Sequence, residues 1–133
     1  MKALGLTVLG ILATAGAVAI VVLVSARLDS HTATFLTYDA LKASGLVERG
    51  WVPIGLPPST RHIEESHDVS ANSGSATFEY DPVDTQLTRQ NCKTVIENAA
   101  GSKFLCPPFE KQAFVVVLAK SGKGTWVLIS DAI

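Results

Sequence analysis

The segment RHIEESHD at 61–68 holds the densest group of side chains that could do chemistry. A histidine beside a carboxylate can serve as general acid and base, or as a contact that changes charge with pH. If the segment is a strand, Glu65 and His67 project from one face together with Ile63, because alternate side chains share a face. Buried charges need partners, so we interpret Arg61, Glu65 and His67 as a candidate polar site that is mainly structural.

The same segment does not predict a metal site. On a strand His62, Glu64 and Asp68 point away from the face of Glu65 and His67, so three ligands do not converge. The sequence has no HExxH motif and no paired-cysteine motif. We therefore predict no metal and no cofactor.

No sequence motif indicates a catalytic nucleophile either. No serine lies in a GxSxG-like elbow, and the GKG at 122–124 falls in a predicted hairpin turn instead of joining a strand to a helix. The sequence therefore favours a role without turnover. An envelope enzyme using Glu65 and His67 is the alternative.

The amino-terminal segment is the most hydrophobic part of a chain of 133 residues with mean hydropathy +0.31. Residues 3–26 carry no charge, and Lys2 and Arg27 flank them. A helix of that length is about 36 Å long, enough to cross a hydrocarbon core of about 30 Å. We predict a single-pass anchor at 1–27 in the inner (plasma) membrane. Cleavage near Ala26, which would release a secreted domain, is the alternative.

The two cysteines bear on the compartment. An even pair in an exported domain is commonly a disulfide, so we predict that Cys92 and Cys106 are bonded and that the remainder lies outside the cytoplasm. Two reduced thiols in a cytosolic domain are the alternative. Beyond residue 27 the net charge is −3. Nucleic acid is therefore not expected as a partner, because phosphate binding needs clustered Lys and Arg.

The pattern of the remainder predicts a small α+β domain that follows the transmembrane helix. A polar stalk is expected at 28–37 and the domain itself at 38–133. Glycines, prolines and the spacing of apolar residues indicate two helices and two antiparallel β-hairpins. The predicted helices are 38–50, capped by Thr37, and 85–98; the predicted hairpins combine 61–69 with 75–81 and 113–119 with 125–130.

The second hairpin is apolar on both faces of both strands. Such runs occur in central strands or in a sheet face that is left open for a partner. The loop 51–60 is also unusually apolar for a segment with three prolines. From these two regions we predict a contact surface that includes Trp51, Ile54, Leu56 and Trp126.

The order of features at 49–81 follows a short pattern. A GW-x-P-x-x-LP-like loop precedes Ile and Glu with a one-residue gap, then a turn and an F-x-Y-like strand. The chain thereby resembles a family of uncharacterised bacterial envelope proteins with a YbbD-like head domain. The resemblance implies a small domain held at a membrane by an amino-terminal helix or lipid, and it implies no reaction. The matching residues are Gly50, Trp51, Pro53, Leu56, Pro57, Ile63, Glu65, Asn72, Phe78 and Tyr80.

Taken together, these features predict a membrane-anchored extracytoplasmic interaction domain. It would bind another envelope protein or a cell-wall component. An immunity or inhibitor protein that plugs a toxin or a hydrolase is a further alternative, and no sequence feature separates it from the first interpretation.

Overall fold

The computed structural model describes residues 29–109 and 112–130, and this part of the chain forms one antiparallel sheet of seven strands. The strands lie in the order β1-β2-β3-β7-β6-β5-β4. Two short helices, α1 and α2, follow β1 and β3. The bounds are β1 Ser30–Thr37, α1 Tyr38–Ala43, β2 Arg61–Asp68, β3 Ser73–Glu79, α2 Gln86–Asn91, β4 Lys93–Asn98, β5 Gly101–Cys106, β6 Gln112–Ala119 and β7 Lys123–Ser130.

The predicted α+β class is therefore wrong, because most of the described residues lie in one continuous sheet. The two predicted hairpins do form, as β2–β3 and β6–β7. They are joined through the pairing of β3 with β7, where Ala76 lies opposite Trp126. Each helix has six residues, fewer than the predicted lengths.

Eight residues of the segment expected to be a stalk, Ser30–Thr37, form the edge strand β1. Its inward side chains alternate with exposed threonines, and Ala33 pairs with Glu65 while Phe35 pairs with Ile63. Such alternation is typical of a half-buried strand. The apolar residues are small or widely spaced here, so the pattern is weak in the sequence alone.

The predicted cap of α1 is confirmed, because the Thr37 hydroxyl accepts a hydrogen bond from the Ala40 amide at 3.1 Å. The helix ends at Ala43 instead of near Gly50. Gly45 has a φ of +80°, in the left-handed region that favours glycine and interrupts a helix.

The second predicted helix is also shorter, and the last six of its predicted residues form a strand. After α2 the backbone at Cys92 is extended, and β4 carries the predicted helical residues Val95 and Ile96, both about half exposed. The run Thr94-Val95-Ile96 is β-branched, which favours a strand when a partner strand is at hand. Here that partner is β5.

The disulfide between Cys92 and Cys106 is present, as predicted. It joins the end of α2 to the end of β5, and both cysteines are buried. In the chain-entropy model a loop of this size stabilises a fold by about 3 kcal/mol. The disulfide therefore holds β5, next to the edge strand β4, to the helix α2 that packs beside it.

The core lies on one face of the sheet, beneath α1 and the irregular segment 44–60. Inward side chains of the central strands meet Leu41 of α1 and Leu46, Val52 and Leu56 of that segment. The opposite face, which we call the open face, carries exposed side chains. The inward residues with less than one-tenth of their surface exposed include Ile63, Ala76, Phe78, Phe104, Phe114, Val116, Leu118, Trp126 and Leu128.

Within 29–109 and 112–130 there is no helix with the length and apolar character needed to cross a bilayer. The predicted anchor at 1–27 lies outside the described residues.

Candidate functional site

The inner face of β2 carries a buried acid–base pair, Glu65 and His67. The Nδ1 atom of His67 lies 2.7 Å from Oε1 of Glu65. Only 1% of Glu65 and 8% of His67 is exposed. The pair therefore lies on the covered face where the sequence pattern places it.

Two rings stack on the imidazole of His67. His31 lies opposite it on β1, with ring centroids 5.0 Å apart, and Trp51 lies at 4.3 Å. The indole stands over Gly74, the β3 neighbour of His67, where an added Cβ would lie 3.5 Å from the ring. A glycine on β3 therefore leaves space for the indole beside His67.

The second oxygen of Glu65 has no partner. Oε2 is buried and makes no hydrogen bond to the described part of the chain. Burial raises the pKa of the Glu65 carboxyl above its ordinary value, because removal from water disfavours the charged form. The hydrogen bond from His67 opposes this shift, as do the more distant charges of His31 and Arg49.

A cleft of about 490 Å³ lies above the pair, between β1 and the segment that follows α1. Its wall includes Arg49, whose Nε and one terminal nitrogen donate to the carbonyls of Gly45 and Ser44. The full lining is His31, Thr32, Ala33, Phe35, Ser44, Leu46, Arg49, Trp51, Glu65, His67 and Val69.

Arg61, the third member of the predicted polar site, is not part of this cluster. Its Nε lies 4.0 Å from Oε2 of Glu79, at the other end of β2. The β2–β3 register shifts between Arg61 and Glu64, and His62 has a φ of +49°. This irregularity separates the start of β2 from the regular alternation that places Glu65 and His67.

His31 was not among the predicted site residues, because it lies in the segment that the sequence pattern predicts as a stalk. The signal was the alternation of His31, Ala33 and Phe35, which share the inner face of β1. It is recognisable only once β1 is known to pair with β2, and no local motif predicts that long-range pairing.

The four predicted contact residues differ in exposure. Ile54 is 47% exposed and Trp51 is half-buried, whereas Leu56 and Trp126 have no exposed surface. Leu56 and Trp126 therefore belong to the core, and only Ile54 and Trp51 present surface to a partner.

A second Glu–His pair lies near the start of β2. The Nδ1 atom of His62 is 2.7 Å from Oε2 of Glu79, and Nζ of Lys123 is 2.6 Å from its Oε1. The hydrogen bonds from Lys123 and His62 lower the pKa of Glu79 to about 2. This pair is on the surface, in contrast to the buried pair of Glu65 and His67.

In the described ranges no group of three or more His, Cys, Asp or Glu is arranged to hold a metal ion. The chemistry of the buried cluster is that of a buried hydrogen bond between the Glu65 carboxyl and the His67 imidazole. The rings of Trp51 and His31 cover it, so a substrate would have to displace a stacked ring to reach it. The arrangement fits a packed polar network or a binding site better than a site of turnover.

These features define a small antiparallel-sheet domain with a buried Glu–His pair under an aromatic cover. Residues 29–79 match the family model of the YbbD head domain, which confirms the predicted resemblance. The match covers less than half of the chain and spans β1, α1, β2 and β3. It includes every residue of the cluster, His31, Arg49, Trp51, Glu65, His67 and Gly74, whereas β4–β7 lie outside it. No curated protein and no solved structure was found to match the chain.

Proposed function

We propose that the chain is a binding domain tethered to the membrane outside the cytoplasm, and that its open face contacts another envelope protein. The observation that carries this proposal is a row of apolar side chains on that face, which we call the apolar strip. In a solvated sheet face polar residues are expected at such positions. The strip consists of Leu105, Val115, Val117, Val127 and Ile129.

The register brings the strip together across three strands. Val115 lies opposite Leu105 on β5 and opposite Val127 on β7. Val117 is 39% and Val127 47% exposed. Contiguous apolar surface of this kind is typical of a protein contact, because burying it in a partner removes it from water.

The strip borders a groove of about 440 Å³ on the same face. The groove is lined by polar side chains of β2 and β3, among them Glu64, Ser66 and Thr77. On the other side Lys103 of β5 lies opposite Val117. A complementary partner would therefore present apolar residues between a basic group that faces Glu64 and an acidic group that faces Lys103.

Photocrosslinking of the full chain in intact cells tests this proposal. A photoreactive amino acid replaces Val127 in the strip, and Val83, which is 86% exposed in the segment after β3, is the matched control site. We expect one discrete protein adduct from position 127 and none from 83. The substitution Val117→Lys is expected to abolish that adduct, because it places a charge in the contact.

Adducts with lipid alone or with a second copy of the chain would overturn the proposed partner class. Equal adducts from positions 127 and 83 would do the same. An adduct with a toxin or hydrolase would identify the immunity or inhibitor class.

The enzymatic alternative has less support. It needs Glu65 and His67 to be partly exposed in a concave pocket, and both are buried next to Trp51. The cleft above them is present, but a ring at 4.3 Å covers the imidazole.

A further inference from the structure

We propose that the head stands end-on on the bilayer, with Val69 and Ile54 in contact with the lipid headgroup region. This inference rests on the proposed tether, because it assumes that residues 1–27 cross the membrane. The proposed partner of this end of the head is therefore a lipid interface. The point where the tether joins the sheet determines which part of the head contacts it.

The connection between tether and sheet is very short. The uncharged segment ends at Ala26, and β1 begins at Ser30. Four residues span at most about 14 Å even when fully extended. With the predicted stalk replaced by a strand, the start of β1 cannot move far from the membrane surface.

The register shows what else lies at this end of the sheet, which we call the tether end. Ser30 pairs with Asp68 at the end of β2, and the amide of Val69 donates to the carbonyl of Asp29 at 2.9 Å. The turn 69–72 between β2 and β3 therefore lies beside the point where the chain enters the domain.

The same end includes the start of β6 and the segment after β5. Gln112 of β6 pairs with Ser130 of β7 and donates through Nε2 to the carbonyl of Gly50. The amide of Ile54 donates to the carbonyl of Pro107 at 3.4 Å, which places Ile54 at the tether end as well.

The side chains at the tether end suit a lipid interface. Val69 is 54% and Ile54 47% exposed. The ammonium of Lys93 lies over the ring of Phe109, 5.3 Å from the ring centroid. Apolar and aromatic groups with a nearby cation are favoured at the headgroup boundary. Asp68 in the same region is bonded to Ser70 and to the Ala71 amide, so its charge is already partly satisfied.

Exposed apolar residues also occur at the far end of the sheet, where Val83 is 86% and Leu36 75% exposed. Exposure alone therefore does not show which end of the sheet faces the bilayer. The connection to the tether shows it, because strands of eight residues are about 26 Å long and keep the far end at that distance from the tether end.

An end-on orientation has a consequence for the open face. The strands then rise from the bilayer, and the apolar strip faces sideways, where a neighbouring envelope protein can reach it. A flat orientation would instead press the strip against lipid and close it to protein partners. The two orientations therefore make opposite predictions for the strip.

Depth-dependent fluorescence quenching of the full chain in vesicles tests the orientation. Single cysteines replace Val69, Ile54, Val83 or Val127, and each is labelled with an environment-sensitive fluorophore under non-reducing conditions. Cys92 and Cys106 are bonded to each other and do not react. The vesicles consist of phosphatidylethanolamine and phosphatidylglycerol, with a fraction of phospholipid that carries a nitroxide near the headgroup.

Interfacial groups lie within about 5–10 Å of the headgroup boundary, so we expect about twofold stronger quenching at positions 69 and 54 than at 83 and 127. Strong quenching at 127 would show the flat orientation and overturn the proposal. Equal weak quenching at all four positions, in a chain that still floats with the vesicles, would overturn the end-on contact but keep the tether. A chain that does not float with vesicles would refute the tether itself.

Discussion

The described residues contain two Glu–His pairs, one within β2 and one between β2 and β3, and the pairs differ in burial. His67 to Glu65 and His62 to Glu79 both have a distance of 2.7 Å between Nδ1 and a carboxylate oxygen. In the first pair the two side chains are 8% and 1% exposed, whereas in the second they are 58% and 32% exposed. The same contact thus occurs once inside the fold and once on its surface.

The pKa of the carboxyl shifts in opposite directions in the two pairs. Burial raises the pKa of Glu65 despite its histidine, and hydrogen bonds from Lys123 and His62 lower the pKa of Glu79 to about 2. The hydrogen-bond distance is equal, so solvent access and the extra cation decide the direction. The comparison teaches that a histidine alone does not offset the loss of water around a carboxylate.

The largest expected effect comes from removing the histidine of the buried pair. His67→Ala leaves Glu65 buried without its partner and removes the ring between His31 and Trp51. Breaking a buried pair in this way costs about 3–5 kcal/mol of unfolding free energy. Urea denaturation of the full chain in detergent, followed by far-UV circular dichroism, measures the change.

The matched control is His62→Ala, which breaks the surface pair. Exposed pairs contribute little because water and salt screen them, so we expect its unfolding midpoint to stay at that of the wild type. Equal midpoints for the two alanine variants would contradict the distinction between the pairs.

The aromatic cover of the buried pair gives a second, somewhat smaller effect. Trp51→Ala opens the cleft to water above His67, so we expect the pKa of Glu65 to fall towards its ordinary value of 4.5. The half-buried indole also packs on Gly74, and its loss should cost about 2–3 kcal/mol, below the range for fully buried rings.

Carbon-detected NMR titration of the Glu65 carboxyl measures this shift, and Trp51→Phe is the control that keeps a ring in place. An unchanged pKa in Trp51→Ala would show that the indole does not exclude water from the pair.

The sequence predicted the buried pair more fully than its surroundings. Alternation along 61–69 placed Glu65 and His67 on the covered face, and the structure has them there. The partners were not predictable, because His31 and Trp51 reach the pair through contacts across more than fifteen positions of the chain. Arg61 was chosen by its proximity in sequence, but the irregular register at the start of β2 turns it towards Glu79.

The fold shows the same limit of local patterns. Hairpins are local, and both were predicted correctly. The joining of β3 to β7 and of β1 to β2 creates the single sheet, and these pairings depend on hydrogen bonds between distant segments. At 93–98 the local spacing of apolar residues predicted a helix, but the segment forms a strand because it pairs with β5. Tertiary pairing of this kind overrides local helical spacing.

A third prediction concerns the pH dependence of the buried pair. A carboxyl with a raised pKa in the folded state binds more protons when folded, so its contribution to stability falls as the pH rises above 4.5 through the raised pKa. Glu65→Gln removes this titration. We therefore expect the variant to gain stability relative to the wild type as the pH increases over that window.

Urea midpoints measured at a series of pH values for both chains check the sign, and Glu64→Gln on the open face of the same strand is the control. A difference between wild type and Glu65→Gln that is constant with pH would contradict the raised pKa.

The smallest effect on stability is expected at the surface pair. Its contribution changes with pH in the opposite direction from that of the buried pair. Because the pKa of Glu79 is lowered to about 2, its contribution is complete above 4.5 and is lost as the pH falls through about 2. Lys123→Gln removes the strongest contact, so we expect the pKa to rise towards 4.5, as NMR titration of the carboxyl would show.

Salt extends the comparison of the two pairs to a single chain. At ionic strengths near 1 M the screening length falls to about 3 Å, so the pKa of the exposed Glu79 carboxyl should rise in wild type. The pKa of Glu65 should change much less, because its shift comes mainly from burial and salt does not enter the core. If added salt changed the pKa of both carboxyls equally, water would have access to both pairs. Burial could then not explain why the two pKa values shift in opposite directions.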